Sequence, residues 1–356
     1  MRSVARWVAY SLIFLLTLEA LARLDDWVSD GAPLAGNHDI DTVFVSAPGI
    51  KAGKPGAHFG KWHMNSLGFR GPEPVAGRRN VLVYGASESF GVYEGPEQEY
   101  PRQLARLLDA TQPGTYNVLN TAVPGLRIGR MGYLDHVLRQ TAPVSHLVIY
   151  PTPAAYIGVD KPFCDEPASW PTDLRNQVPP RSRLKGKLEQ VAKQIVPEAL
   201  MTRLKAFGIW QATREATVLE HLPDAAMQAF EKDLRCVVER ARRAGATPVL
   251  VTHGNYFGDQ ITPDNRPMLV AWRRFYPELS EAGFIDMEAR ANQLIKQVAH
   301  DEPGTVLVDI DGVVPPGPKH YADFVHFTDE GARLLANRLS TAILAAPNAP
   351  SAVKQP

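Results

Sequence analysis

Five short apolar runs, spaced along the chain and separated by stretches of helical periodicity, constrain this sequence most. They are residues 80–84, 118–120, 146–150 ("HLVIY"), 247–253 ("TPVLVTH") and 305–310 ("TVLVDI"). Each is too short for a helix and has no polar alternation, which is the pattern of a strand buried on both faces. Between and after them, residues 99–108, 131–140, 225–244, 287–300 and 328–344 carry helical spacing. Strands that alternate with helices imply parallel pairing, because a parallel return needs a crossover long enough to cover the sheet. The expected fold is α/β: a three-layer, flavodoxin-like parallel sheet over residues 79–346.

Two segments depart from that alternation. Residues 157–222 hold a proline-containing loop and then cationic amphipathic stretches, "RLKGKLEQVAKQIV" and "MTRLKAFGIWQAT", and read as a helical insertion. Solvated helix faces are the usual origin of such lysines, with a membrane-surface helix as the alternative. Residues 24–78 read as an N-terminal extension of irregular structure and short strands, and residues 347–356 as a disordered tail.

At the N-terminus Arg2 and Arg6 precede the apolar run "WVAYSLIFLLTLEALA", interrupted only by Glu19 and followed by Arg23, Asp25 and Asp26. Residues 1–23 therefore read as a signal anchor or a signal peptide, the anchor being the favoured reading. Arg2 and Arg6 on the leading side favour a cytoplasmic N-terminus and a body that works outside the cytoplasm. Lysine plus arginine equals aspartate plus glutamate, 38 against 38, which argues against a nucleic-acid partner. The sequence has no Cys/His cluster at zinc spacing and no glycine-rich nucleotide loop, so neither a metal nor a cofactor is expected. The two cysteines, Cys164 and Cys236, could pair in an oxidising compartment, but spacing alone does not decide it.

Ligands of a parallel sheet bind beyond the carboxyl ends of its strands. Ser87 follows the first strand in "VLVYGASESFG", Gly125 follows the second in "NTAVPG", and the fifth strand leads to Asp323 and His326 in "ADFVHFTDEG". A serine hydroxyl needs a base, an imidazole serves near neutral pH, and the imidazole needs an acceptor on its other nitrogen. The Asp-x-x-His spacing lets one loop supply both groups, and Thr328 can cap the following helix and brace that loop. Ser89 is the alternative nucleophile, since "SESFG" partly matches a Gly-x-Ser-x-Gly elbow.

Taken together, "YGASESFG", "NTAVPG" and "DFVHF" resemble the blocks of the SGNH/GDSL-type hydrolases over roughly residues 78–345, and "NSLGFRGPE" resembles the lead-in of membrane-anchored bacterial members. The resemblance implies Ser87 as nucleophile, Asp323 and His326 as its triad partners, and an oxyanion hole from the amides of Ser87 and Gly125. One departure stands out. The family's third block presents an asparagine, whereas here the strand runs into "YPTPAAY" with Ala154 at that position, leaving the Thr152 hydroxyl as the nearest substitute donor. His253 and Asn255 follow the fourth strand and read as turn residues that could line the pocket.

The activity implied is a serine esterase removing an acyl group, acetyl by preference, from an envelope or secreted polysaccharide or a related ester. The alternatives are an O-acyltransferase with the same triad and a non-catalytic glycan-binding or assembly protein. The expected partners are an acylated carbohydrate or other ester substrate and, through the N-terminal segment, a membrane.

Overall fold

The computed structural model describes residues 2–47, 50–171, 173–175, 179, 181–214 and 217–346. The tail expected to be disordered lies outside the described residues.

The sheet strands are β1 (Arg79–Gly85), β2 (Tyr116–Asn120), β3 (Val144–Tyr150), β4 (Thr247–Val251) and β5 (Val306–Val308), all parallel, in the order β2-β1-β3-β4-β5. This is the flavodoxin-like order, with its switch point between β1 and β3. The helices are α1 (Arg2–Asp30), α2 (Ser87–Phe90), α3 (Tyr100–Thr111), α4 (Met131–Gln140), α5 (Arg183–Ile195), α6 (Glu198–Thr213), α7 (Asp224–Arg243), α8 (Arg266–Trp272), α9 (Glu281–Asp301) and α10 (Asp329–Ala345).

The pleat divides each apolar strand between two cores. Val81 and Val83 pack with Leu104 of α3 and Leu335 of α10 on one face. Leu82 and Tyr84 pack with Leu134 of α4, Phe230 of α7 and Ile295 of α9 on the other. All of these are fully buried, so the unbroken apolar runs follow from burial on both sides. Helix α9 begins six residues before the periodic segment suggests, because Ser280 caps it by accepting from the Gly283 N–H at 2.9 Å.

Two antiparallel hairpins, Phe44–Ala47 with Ile50–Gly53 and His58–Phe59 with Trp62–His63, precede the sheet. They deliver Arg70 to its place. The Arg70 N–H bonds the Asn120 carbonyl at the end of β2, and its buried guanidinium pairs with Glu99 at 2.8 Å while donating to the carbonyls of Phe90 and Gly91. The C-terminal end of the short helix carrying Ser87 is thus capped from the extension. Gly91 must be glycine: its φ is +83°, and a Cβ there would lie 2.4 Å from the Glu99 side chain.

Residues Val4–Ser29 of α1 form a helix long and apolar enough to cross a membrane. The helix runs past Arg23 to Asp30, and its last turns hold the insertion. Glu19 accepts from the Ser182 hydroxyl at 2.7 Å and from the Arg183 and Leu184 amides at 3.1 Å each, so it caps α5. Lys187 then pairs with Asp25 and Asp26, both at 2.7 Å. Cys164 and Cys236 form a disulfide that ties the proline-containing loop opening the insertion to α7. Asp233, one turn earlier on α7, accepts from the amides of Phe163 and Cys164 at 3.2 and 2.9 Å.

Candidate active site

Ser87 lies two residues beyond the end of β1, as the first residue of α2, and it is half-buried. Beside it, Val123-Pro124-Gly125-Leu126 closes with a hydrogen bond from the Leu126 N–H to the Val123 carbonyl at 2.9 Å, and Gly125 has φ +79°. Proline second and a positive-φ glycine third are the residues a type II turn demands. Among the described residues neither the Ser87 nor the Gly125 amide has an acceptor.

The Asp-x-x-His segment folds as a tight turn. Asp323 Oδ1 accepts from the backbone N–H of Val325 at 3.0 Å and of His326 at 2.9 Å, and His326 Nδ1 lies 2.8 Å from Asp323 Oδ2. The turn is closed by the Ala322 N–H on the His326 carbonyl at 2.8 Å and by Thr328, which caps α10. Asp329 reaches across to accept from the Gly95 N–H at 2.7 Å, tying this loop to the one after Ser87. Burial would lower the His326 pKa, but its bond to Asp323 and the charges of Glu88, Asp323 and Glu94 raise it above the ordinary imidazole value. Burial works to raise the Asp323 pKa, and the His326 bond reverses that and lowers it. His326 Nε2 is buried with no hydrogen-bond partner among the described residues.

Ser87, Gly125, Thr152, Asp323 and His326 all line one cleft of about 410 Å³ at the carboxyl ends of β1 and β3. Ala154 lines it too, and among the described residues no asparagine does. Thr152 is extended, at φ −131° and ψ 165°, before the turn that Pro153 opens. Much of the remaining wall comes from α8 and the residues after it, with Trp272 and Phe275 packed on Phe324 and Met268 beside them, while Arg274, Tyr93 and Tyr276 add polar groups. The sequence reading had no helix there. Ser89 is fully buried beneath Gly85 and accepts from the Tyr100 hydroxyl at 2.7 Å, so it does not reach the cleft.

The Ser87 hydroxyl donates to Glu88 Oε2 at 3.0 Å. Glu88 is buried, and its Oε1 lies 3.6 Å from Nε2 of His253, whose Nδ1 lies 2.6 Å from Glu288 Oε2. The turn role read for residues 253–255 holds for Asn255, which accepts from the Phe257 and Gly258 amides, but His253 belongs to this buried chain. Glu88 and Glu288 were not singled out from the sequence, because isolated glutamates carry no spacing signal. Among the described residues no cluster of three or more His, Cys, Asp or Glu side chains is placed to hold a metal ion.

No protein-family model matches the sequence, and no curated protein is similar to it. Similar solved structures include an acetyl xylan esterase, AlAXEase, 14% identical over 74% of this chain and 98% of that chain with a TM-score of 0.40. A GDSL-like lipase from Bacteroides thetaiotaomicron is 13% identical over 78% and 93%, with a TM-score of 0.40. LAE5, an alpha/beta hydrolase from the metagenome of Lake Arreo, Spain, is 13% identical over 76% and 97%, with a TM-score of 0.44.

Proposed function

We propose that this chain is a serine esterase of the SGNH/GDSL hydrolase superfamily, with Ser87 as nucleophile, His326 as general base and Asp323 as the carboxylate that orients it. The observation that carries the reading is the convergence of Ser87 and the Asp323–His326 pair on one cleft, with the unpaired Nε2 of His326 buried beside it. Ser87 Oγ attacks the ester carbonyl carbon as its proton passes to His326 Nε2. The oxyanion is received by the amides of Ser87 and Gly125 and by the Thr152 hydroxyl, each such donor contributing about 3 kcal/mol to the transition state. The imidazolium then protonates the leaving alkoxide, and water, activated by the same imidazole, releases the acyl group.

The substrate of this reading is a small acyl ester, acetyl by preference, on an envelope or secreted polysaccharide. Helix α1 is a retained membrane anchor that holds the body on the extracytoplasmic side. Support for retention comes from Glu19, Asp25 and Asp26, which secure α5. One observation favours a second reading, O-acyl transfer to a sugar hydroxyl: the aromatic side chains of Trp272, Phe275 and Phe324 line part of the cleft and weaken its hold on water there.

The test is hydrolysis of p-nitrophenyl acetate and labelling by a fluorophosphonate, using the full chain in detergent beside Ser87→Ala. Hydrolysis and label lost together in the variant support the reading, and equal rates in both proteins sink it. Label retained with weak hydrolysis that rises on adding a glycan acceptor selects the transferase.

A further inference from the structure

The triad leaves a buried chain of ionisable side chains unused. From Ser87 it runs through Glu88 Oε2 at 3.0 Å and from Glu88 Oε1 to His253 Nε2 at 3.6 Å. It continues from His253 Nδ1 to Glu288 Oε2 at 2.6 Å, and the Tyr156 hydroxyl closes it by donating to Glu288 Oε1 at 3.1 Å. Glu88 and Glu288 are each 3% exposed and His253 2%. Such a chain is not explained by stability, since the desolvation of buried ion pairs usually cancels their attraction and well-packed apolar residues would serve as well. Its position behind the nucleophile points to the reaction.

Two carboxylates share one imidazole. Burial would lower the His253 pKa, but Glu288 and Glu88 outweigh it and raise the group to about 9. Burial alone would raise Glu88, but the nearby His253 and the charge of His326 pull it below the usual carboxylate value. Glu88, kept ionised beside the protonated His253, presents its charge to His326. The other titratable groups near Glu88 are tyrosines from separate elements, namely Tyr100, Tyr150, Tyr156 and Tyr276, all raised chiefly by burial and so uncharged. Those facing His326 are Asp323 on its own loop, Glu88 on α2, and Tyr93 and Glu94 on the loop that follows α2.

We infer that Glu88, held by the buried His253–Glu288 pair, is a positioning residue that fixes the Ser87 hydroxyl in the cleft and supplies the negative charge facing His326. This rests on the esterase reading above. Glu88 is not the base: the Ser87 proton turns from Glu88 to His326 Nε2 at attack, while the new bond forms from Ser87 Oγ to the carbonyl carbon. What Glu88 contributes is the rotamer of Ser87 and a fixed charge that favours the imidazolium.

The experiment follows fluorophosphonate labelling of the full chain against pH, together with an NMR titration of the His326 imidazole. A general base must be neutral, so labelling rises with pH through the His326 pKa. Glu88→Gln keeps the shape of the side chain and removes the charge. The acid limb and the His326 titration should both move to lower pH by about one unit, as expected for one charge lining the same partly screened cleft. The plateau rate should fall about tenfold. Glu88→Asp, which keeps the charge, should restore the limb toward wild type. An unmoved His326 titration in folded Glu88→Gln overturns the inference. If that variant does not fold, Glu288→Gln serves instead, since it loosens the pair that holds Glu88 and touches neither Ser87 nor His326. A smaller shift in the same direction supports the inference, and no shift overturns it. A wild type that takes no label at Ser87 defeats the esterase reading, and the NMR titration still decides the role of Glu88.

Discussion

Asp323 holds His326 twice, by the ring at Nδ1 and by the backbone N–H, with distances of 2.8 and 2.9 Å. One carboxylate therefore sets both the tautomer of the imidazole and the path of the loop that presents it.

Asp323→Asn separates these two roles. The amide oxygen can still accept the backbone N–H, so the loop and the fold should survive. The tautomer control and the charge are lost, and the rate of p-nitrophenyl acetate hydrolysis should fall about 10³–10⁴-fold. A thermal melt alongside the assay checks that the loss is chemical, and a variant with near-normal activity would remove Asp323 from the reaction.

Thr152→Val replaces a hydroxyl by a methyl of similar size in the cleft wall. If the hydroxyl donates to the oxyanion, kcat should drop about 100-fold with KM nearly unchanged, because the bond is made in the transition state. An unchanged kcat assigns Thr152 to the wall alone.

Arg70→Ala leaves Glu99 buried without its cation and two carbonyls at the end of α2 without their donor. Removing one partner of a buried pair costs about 3–5 kcal/mol. Denaturant unfolding should show a loss of that size. Because α2 carries Ser87, activity should fall even under conditions where the variant stays folded.

Glu94 is buried, and desolvation raises its pKa from the ordinary 4.5 to about 7. Between those two values the folded state binds more protons than the unfolded state. Stability from this group is therefore lost as pH rises from 4.5 to about 7, and it is level above that. Glu94→Gln should remove this slope, so its melting temperature gains on wild type as pH rises from about 5 to about 8. Parallel curves for the two proteins would mean that Glu94 does not titrate in that window.

The sheet was the most legible part of the sequence. A strand buried on both faces admits little but apolar residues, so Val81–Tyr84 and Leu147–Tyr150 advertise themselves. Strand ends are also where ligands meet a parallel sheet, and that rule, with the Asp-x-x-His spacing and the family resemblance, directed attention to Ser87, Gly125 and His326. The environment of Ser87 was far less legible. Glu88, His253 and Glu288 are brought together by three separate elements, and no local spacing links them. The end of α1 was hidden for another reason: Arg23, Asp25 and Asp26 read as the close of an apolar run, yet they are helical residues facing α5. The choice between Ser87 and Ser89 needed the turn of α2, which sends Ser89 inward onto Tyr100.

The disulfide has a consequence for how the chain responds to cutting. Cys164 and Cys236 close a covalent ring of sequence separation 72 that contains both α5 and α6. A protease that severs one peptide bond inside the ring leaves the two halves joined through sulfur. The nicked protein runs as a single species until a thiol reductant is added, and only then divides in two.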